Sequence, residues 1–481
     1  MQPIIGFAPD ADQTTPGILS DCSNLVPALT GMEGGPTAIT PSGVPALDAA
    51  AQGAAVVYKL DDSRRLFAGT GTKLQELVSG TWTDRSRGAG YTVGADSSWT
   101  FAQFGDSTLA CSGAETIQRS TTGAFADISG APSAQVMFTV GSFVMALNTN
   151  DGSIKPDGWH CCAAFDDTDW TPSITTQAAS GRLVSTPGPL TAGARLGEYA
   201  VAYKERSIYL GQYVGPPVIW DWTQVADGGA GCVGKNAVCD IGGVHFFVGP
   251  DNFWLFDGTR PQPLADGLLR KWFAGNASAD YLYKTVCTFD RESNRVWIFY
   301  PSADSSTLDS ALVYHVQSKK WGRADRNIQC ALTYVASGAT IDGLDSIAAT
   351  IDELPDISYD SRFWFSAARV LSVFNTSNQL QTLSGSSVSS SLTTGEAGDD
   401  EMVMLLQQIR CRYGLAPNSA TVQTRYMMNS GTTFMDGPSG SMNDGKFDTL
   451  KSARWHKAQV SFSGPVLVTH IDAKLKPAGT R

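Results

Sequence analysis

The sequence predicts an all-β protein, a β-propeller of about six or seven blades followed by a small carboxy-terminal β-sandwich domain. Three observations carry that expectation. From residue 50 onward, short apolar runs are broken by turn residues, with 49 Gly among 481 residues, and no window sustains a helical apolar period over three turns. The runs form groups that end on an aromatic residue beside polar ones: GTWTD at Trp82, GAFAD at Phe125, TDWTP at Trp170, WDWTQ at Trp222 and KKWGR at Trp321. Their period is roughly 40–50 residues, the spacing of four-stranded blades, and the hairpin closing at DGTRPQPL fills the one vacant place. Lastly, a content of 42% hydrophobic and 10% aromatic residues supplies ample core for a chain too long for one small module.

Taken in order, residues 1–50 read as an extended amino-terminal arm and a first strand, and 51–375 as the propeller. Blade units are expected near 54–84, 96–127, 134–172, 195–224, 236–265 and 284–323, with 328–375 as a possible seventh. Within them, RLFAGTGTKLQEL (65–77) is two strands around a Gly-Thr-Gly turn, and GGVHFFVGPDNFWLFDGT (242–259) is a hairpin about Gly-Pro-Asp-Asn. The segment 376–400, with six Ser among residues 384–391, reads as a linker or long loop. Residues 401–481 then hold four strand candidates, Met402–Arg412, Ala420–Met428, Arg454–Phe462 and Val466–Leu475, enough for a sandwich.

Charge and motifs exclude several functions. With 35 Lys+Arg against 46 Asp+Glu the net charge is −11, without the basic face of a freely binding nucleic-acid protein. No stretch approaches a membrane span and no basic-then-apolar leader opens the chain, so neither membrane insertion nor standard secretion is expected. Nine scattered cysteines without a CxxC pair predict reduced, buried thiols and no zinc site. HExxH, GxSxG and P-loop signatures do not occur, and His160, His245, His315, His456 and His470 each stand alone in strand-like surroundings. SGTW at 79–82 has the ending of a sialidase-type turn without its Asp. FDDTDW (Asp166, Asp167, Asp169) carries oxygens at calcium-loop spacing but lacks the EF-hand Gly and Glu, so an ordinary acidic turn is the plainer reading. No catalytic residue, metal or cofactor is expected.

Two charged segments remain. IDGLDSIAATIDELPDISYDSRFW (341–364) places Asp342, Asp345, Asp352 and Asp356 in a stretch with no base before Arg362. It is either a solvated connection or a channel surface whose like charge keeps DNA phosphates from sticking. From Gly445 to Arg481 bases outnumber acids, and Lys446, Lys451, Arg454 and Lys457 are either a docking face for an acidic partner or a solvated strand face.

TPGILSDCSNLVPALTGMEGGPTAI (15–39) resembles the opening of the tail hub or nozzle proteins of short-tailed bacteriophages, also described as packaged-DNA stabilisation or tail accessory proteins. LFAGTGTKLQEL (66–77), NFWLFDGTRPQPL (252–264), ALVYHVQSKKWGRAD (311–325), TIDGLDSIAATIDELP (340–355) and the closing RWHKAQVSFSGPVLVTHIDAKLKPAGTR (454–481) extend the likeness over most of the chain. The resemblance implies a non-enzymatic virion protein, assembled in the host cytoplasm, of which a homohexameric ring extends the DNA ejection channel below the portal. It implies a portal-proximal adaptor as one partner, a tail fibre, spike or needle as another, and DNA passing without sequence-specific binding. A propeller-type glycan-binding or glycan-hydrolysing protein, with tryptophans as sugar platforms, is the alternative. A generic repeat scaffold for protein partners is a third.

Overall fold

The computed structural model describes residues 2–41, 43–225, 229–335, 350, 369–428 and 433–479. Five four-stranded antiparallel sheets follow one another along the chain. Blade 1 spans Ala54–Tyr58 to Thr81–Asp84, blade 2 Thr100–Phe104 to Ala126–Asp127, and blade 3 Ser133–Val140 to Ala179–Arg182. Blade 4 runs from Leu190–Leu196 to Ile219–Gln224 and blade 5 from Val238–Asp240 to Gln262–Pro263. Blade 6 is Val286–Asp290, Arg295–Tyr300, Leu308–His315 and the first half of the long strand Lys320–Val335. That strand shifts register between Ile328 and Cys330, and its second half pairs with Arg369–Asn375, opening blade 7. The innermost strands touch in succession, and the second half of Lys320–Val335 lies against both Val286–Asp290 and Ala54–Tyr58. The ring therefore closes at seven blades.

Burial explains why these segments are strands. The second strand of each blade lies between two neighbouring sheets, and a strand covered on both faces reads as an unbroken apolar run rather than an alternating one. STLAC (107–111), HFFV (245–248) and RVWIFY (295–300) are buried at every residue. Separate apolar clusters fill the spaces between blades, including one around Phe67, Trp99 and Phe125 between blades 1 and 2, and one around Leu66, Cys330 and Phe374 between blades 7 and 1. The recurring aromatic endings fall at outer strands in blades 1, 4 and 6, at Trp82, Trp222 and Trp321. In blade 3 the fourth strand begins nine residues beyond Trp170, at Ala179, so that blade is longer than its expected unit.

The arm is not simply extended. It contains six short strands: β1 (Gln2–Pro3), β2 (Gly6–Phe7), β3 (Ile18–Ser23), β4 (Leu25–Pro27), β5 (Met32–Gly34) and β6 (Thr37–Ile39). β6 pairs with Leu380–Gly385 and supplies the outer strand of blade 7, so residues from before blade 1 finish the ring. β4 bridges to Arg323 of blade 6 while its partner β5 pairs with the final strand, Leu467–Gly479, and one sheet runs from the propeller into the carboxy-terminal domain. That domain is a sandwich. One sheet joins β3, Ser389–Thr394, Trp455–Ser463, Ser419–Met427 and Met435–Ser441; the other joins β5, Leu467–Gly479, Val403–Leu415 and Lys446–Ala453.

Residues 376–400 are therefore not a linker: they carry the third strand of blade 7 and a sandwich strand. The serines alternate there, Ser390 and Leu392 facing inward while Ser389 faces solvent, and a polar composition concealed a half-buried strand.

Side chains lock the arm in place. Arg295 of blade 6 donates to the Pro27 carbonyl (2.7 Å) and pairs with Glu33 (2.6 Å). Asp10 accepts from the amides of Lys271 (2.5 Å) and Trp272 (3.1 Å) at the start of helix α1 (Arg270–Asn276), where Phe7 meets Trp272 edge-on at 4.9 Å. Gly31 has φ +98°, and a Cβ there would lie 2.2 Å from the Val468 carbonyl oxygen, so this close approach to the last strand requires glycine. Trp321, 2% exposed, packs on Tyr314 (4.7 Å) and Phe253 (5.0 Å) in a core that continues through the arm into the sandwich.

Urea unfolding followed by tryptophan fluorescence should show Trp321→Ala destabilised by about 3–5 kcal/mol. Gly43 also has positive φ, +78°, but open space around it, so Gly43→Ala should cost about 1–2 kcal/mol and Gly31→Ala clearly more.

Candidate functional site

Propellers offer one privileged place, the axis, where the entry loops of all the blades converge. Here they line a cavity of about 610 Å³, with Gln52, Ser98, Gln135, Thr191, Lys235 and Lys284 contributed by blades 1 to 6 and Gln329 by blade 7. Its floor is closed by polar links that cross the centre. Lys235, entering blade 5, donates to the Ser98 carbonyl before blade 2 and to the Gln135 carbonyl of blade 3 (3.3 Å). Asn236 donates to Ser98 Oγ (3.2 Å). Lys284, entering blade 6, pairs with Asp96 before blade 2 at 2.7 Å. Blades 2 and 5, and blades 2 and 6, are as far apart as two places in a ring of seven can be, so these bonds span the bore. A DNA duplex has no path along an axis that these bonds cross. Burial makes the charged form of Lys235 costly and pulls its pKa down to about 8.

The chemistry-bearing residues elsewhere are occupied by structure. His245 lies between the Tyr203 hydroxyl (2.7 Å) and the Arg195 carbonyl (2.9 Å). A carbonyl only accepts, so Nε2 carries the proton and Nδ1 accepts from tyrosine. His160 and His456 likewise meet the carbonyls of Trp170 (2.8 Å) and Met404 (3.0 Å), and burial lowers the pKa of all three rings. In the acidic turn Asp166 accepts from Thr168, Asp167 pairs with Arg119 at 2.7 Å, and Asp169 accepts from the Thr171 amide. Among the described residues no three His, Cys, Asp or Glu side chains are gathered to hold a metal ion, and no helix is long and apolar enough to cross a membrane. All nine cysteines are free; burial pushes the thiols of Cys111 and Cys330 up to about 12.

Asp342, Asp345, Asp352 and Asp356 lie outside the described residues. Lys446, Lys451, Arg454 and Lys457 are described, and they do not form one face. Lys451 sits over the Tyr426 ring at 3.8 Å, in the inward phase of its strand. Lys457, on the opposite sheet, pairs with Glu396 (3.0 Å) beside a smaller cavity of about 290 Å³ where residues 14–18 of the arm meet the sandwich. Arg454 falls between two strands. Only Lys446 joins a basic surface, and its companions come from other strands. Register places Lys446 beside Arg410 and Arg410 beside Asp472, with Arg412, Lys474 and Lys476 at alternate positions on the same outward face. Five cations thus stand against two carboxylates, Asp448 and Asp472, on one sheet surface of an acidic protein. Counting bases along the chain missed Arg410 and Arg412; strand alternation combined with pairing would have found them.

No protein-family model and no curated protein matches the chain. A solved structure described as "YCF48 bound to D1 peptide" is similar over 72% of this chain and 94% of that chain, at 11% identity and a TM-score of 0.37, a likeness too slight to carry an argument.

A lysine with a folded pKa near 8 and an ordinary unfolded value of 10.5 leaves the unfolded chain binding more protons between those limits. Its contribution to stability therefore rises from pH 8 to 10. Denaturation midpoints of wild type and Lys235→Met across that range should differ by this increment, absent in the variant, and an NMR titration of Lys235 should show a midpoint near 8.

Proposed function

We propose that this chain is a structural virion protein, the hub or nozzle subunit of a short phage tail. Copies of it form a ring, a homohexamer as the resemblance implies, that extends the ejection channel below an adaptor and seats a fibre, spike or needle. The observation that supports this reading best is the arm. Residues 15–39, one of the stretches that carry the resemblance, supply strands β3 to β6 and fuse propeller and sandwich through shared sheets. A conduit that holds packaged DNA needs subunits without a hinge, and main-chain pairing across the domain boundary provides that stiffness. The closed axis fits the same reading, since the passage for DNA then lies between copies rather than through one. The chain acts in this role by assembly, not by catalysis. The glycan-binding alternative rests on tryptophans as sugar platforms, and every described tryptophan is buried or half-buried.

Particles assembled without this chain, examined by electron microscopy and nuclease digestion, should lack density at the distal tail and lose their DNA. Particles that keep both would overturn the reading, and saturable binding of host capsule or lipopolysaccharide by the purified protein would favour the alternative.

A further inference from the structure

Two surfaces remain that neither fold nor core explains. One is the basic sheet face, where Leu450, 72% exposed, stands among the cations. The other lies at the rim of blades 3 and 4. Phe165 (82% exposed), Ile174 (62%), Val214 (50%) and Val218 (59%) project into solvent there. They form one patch: the Phe165 amide bonds to the Ser142 carbonyl (2.9 Å), the next residue, Phe143, packs on Tyr213 at 5.3 Å, and the Tyr213 hydroxyl donates to Gln177 (2.6 Å) of the Ile174 loop.

The backbone at this rim is strained to present it. Phe165 has φ +64° and Ile219 φ +71°, a left-handed conformation that is costly for bulky and above all β-branched residues. Such strain persists where surrounding structure enforces it, commonly at functional surfaces. The charge is net negative: Asp166, Asp169 and Asp221 accompany the patch, Arg119 is held by Asp167 (2.7 Å) and Arg182 by Asp157 (2.8 Å), and no Lys or Arg occurs in 161–181 or 207–224. An exposed apolar cluster with a net charge of one sign marks a docking surface whose partner carries the opposite sign. The same chain carries that partner.

We propose that the acidic, apolar rim of blades 3 and 4 docks on the basic sandwich face of a second copy, so that chains join head to tail. The two patches belong to different domains, so the contact is heterologous: each subunit uses one patch to receive and the other to give, and the chain of contacts ends only by closing into a ring. This deepens the tail reading, on which it rests, by naming the surfaces that would build the ring.

The test uses the full chain in sedimentation velocity at about 1–100 µM, with salt raised from about 50 to 500 mM, which should weaken association at least tenfold if charge steers it. A rim variant (Ile174→Lys, Val218→Lys, Asp221→Lys) and a face variant (Arg412→Glu, Lys474→Glu, Lys476→Glu) should each be monomeric with wild-type melting curves. Mixed together, they should associate at least to heterodimers, through the intact face of one and the intact rim of the other, and grow further as far as the exchanged charges pair. A chain carrying both sets should associate again, because the charges are exchanged rather than lost. Loss of the apolar side chains limits that rescue, so a second rim variant, Asp221→Lys alone, should weaken assembly and regain it with Lys474→Glu. Assembly indifferent to the reversals overturns this pairing of surfaces and leaves the tail reading to the particle experiment. A wild-type chain that stays monomeric throughout overturns the pairing as well.

Discussion

A seven-bladed ring built from one chain must be closed by something, and here the closure is a short strand borrowed from before the first blade. β6 lends its edge to Leu380–Gly385, and the residues just ahead of it lend theirs to the sandwich. Because the same forty residues serve both domains, the ring cannot open without also loosening the sandwich. The Arg295 guanidinium shows how tightly the two are coupled. It is buried on the second strand of blade 6, and its partners, the Pro27 carbonyl and Glu33, both belong to the arm. A buried cation deprived of its partners is costly, so the arm is required by the propeller's own core.

The plugged axis follows from the blade geometry in the same way. Seven entry loops converge on the bore, and polar side chains from opposite blades bond across it. The cavity above the plug is a mouth, not a tunnel. On the proposed function a passage lies between copies, beside the exposed edges of blades 3 and 4 and the outward face of the sandwich.

Much of the propeller was visible in the sequence, because its repeat is chemical as well as geometric. Aromatic residues at Trp82, Trp222 and Trp321 mark outer strands, and Gly-rich turns separate the runs. The seventh blade was harder to see, since its strands come from three distant stretches and one of them, Lys320–Val335, also belongs to blade 6. The serine-rich strand at 389–394 was hidden because small hydroxyl side chains fit a half-buried position without raising hydrophobicity. The surfaces were the least legible part. Lys451 and Lys457 look free along the chain, yet one rests on a tyrosine ring and the other on a glutamate, while the cations that share a face are about sixty residues apart. Cross-strand register is a property of the folded sheet, and counting charges in a window cannot supply it.

The arm's placement also sets the order in which the molecule can be completed during synthesis. Its strands are made before the blades, yet β3 waits for residues near 390, and β1 and β5 for Leu467–Gly479. Through most of translation the nascent chain trails unpaired strand edges whose proper partners do not yet exist. Blades 1 to 5 can form as local hairpins in the meantime, but the finished, rigid subunit appears only once Leu467–Gly479 has been made. The basic sandwich face, which Lys474 and Lys476 of that strand help to build, is absent until then as well.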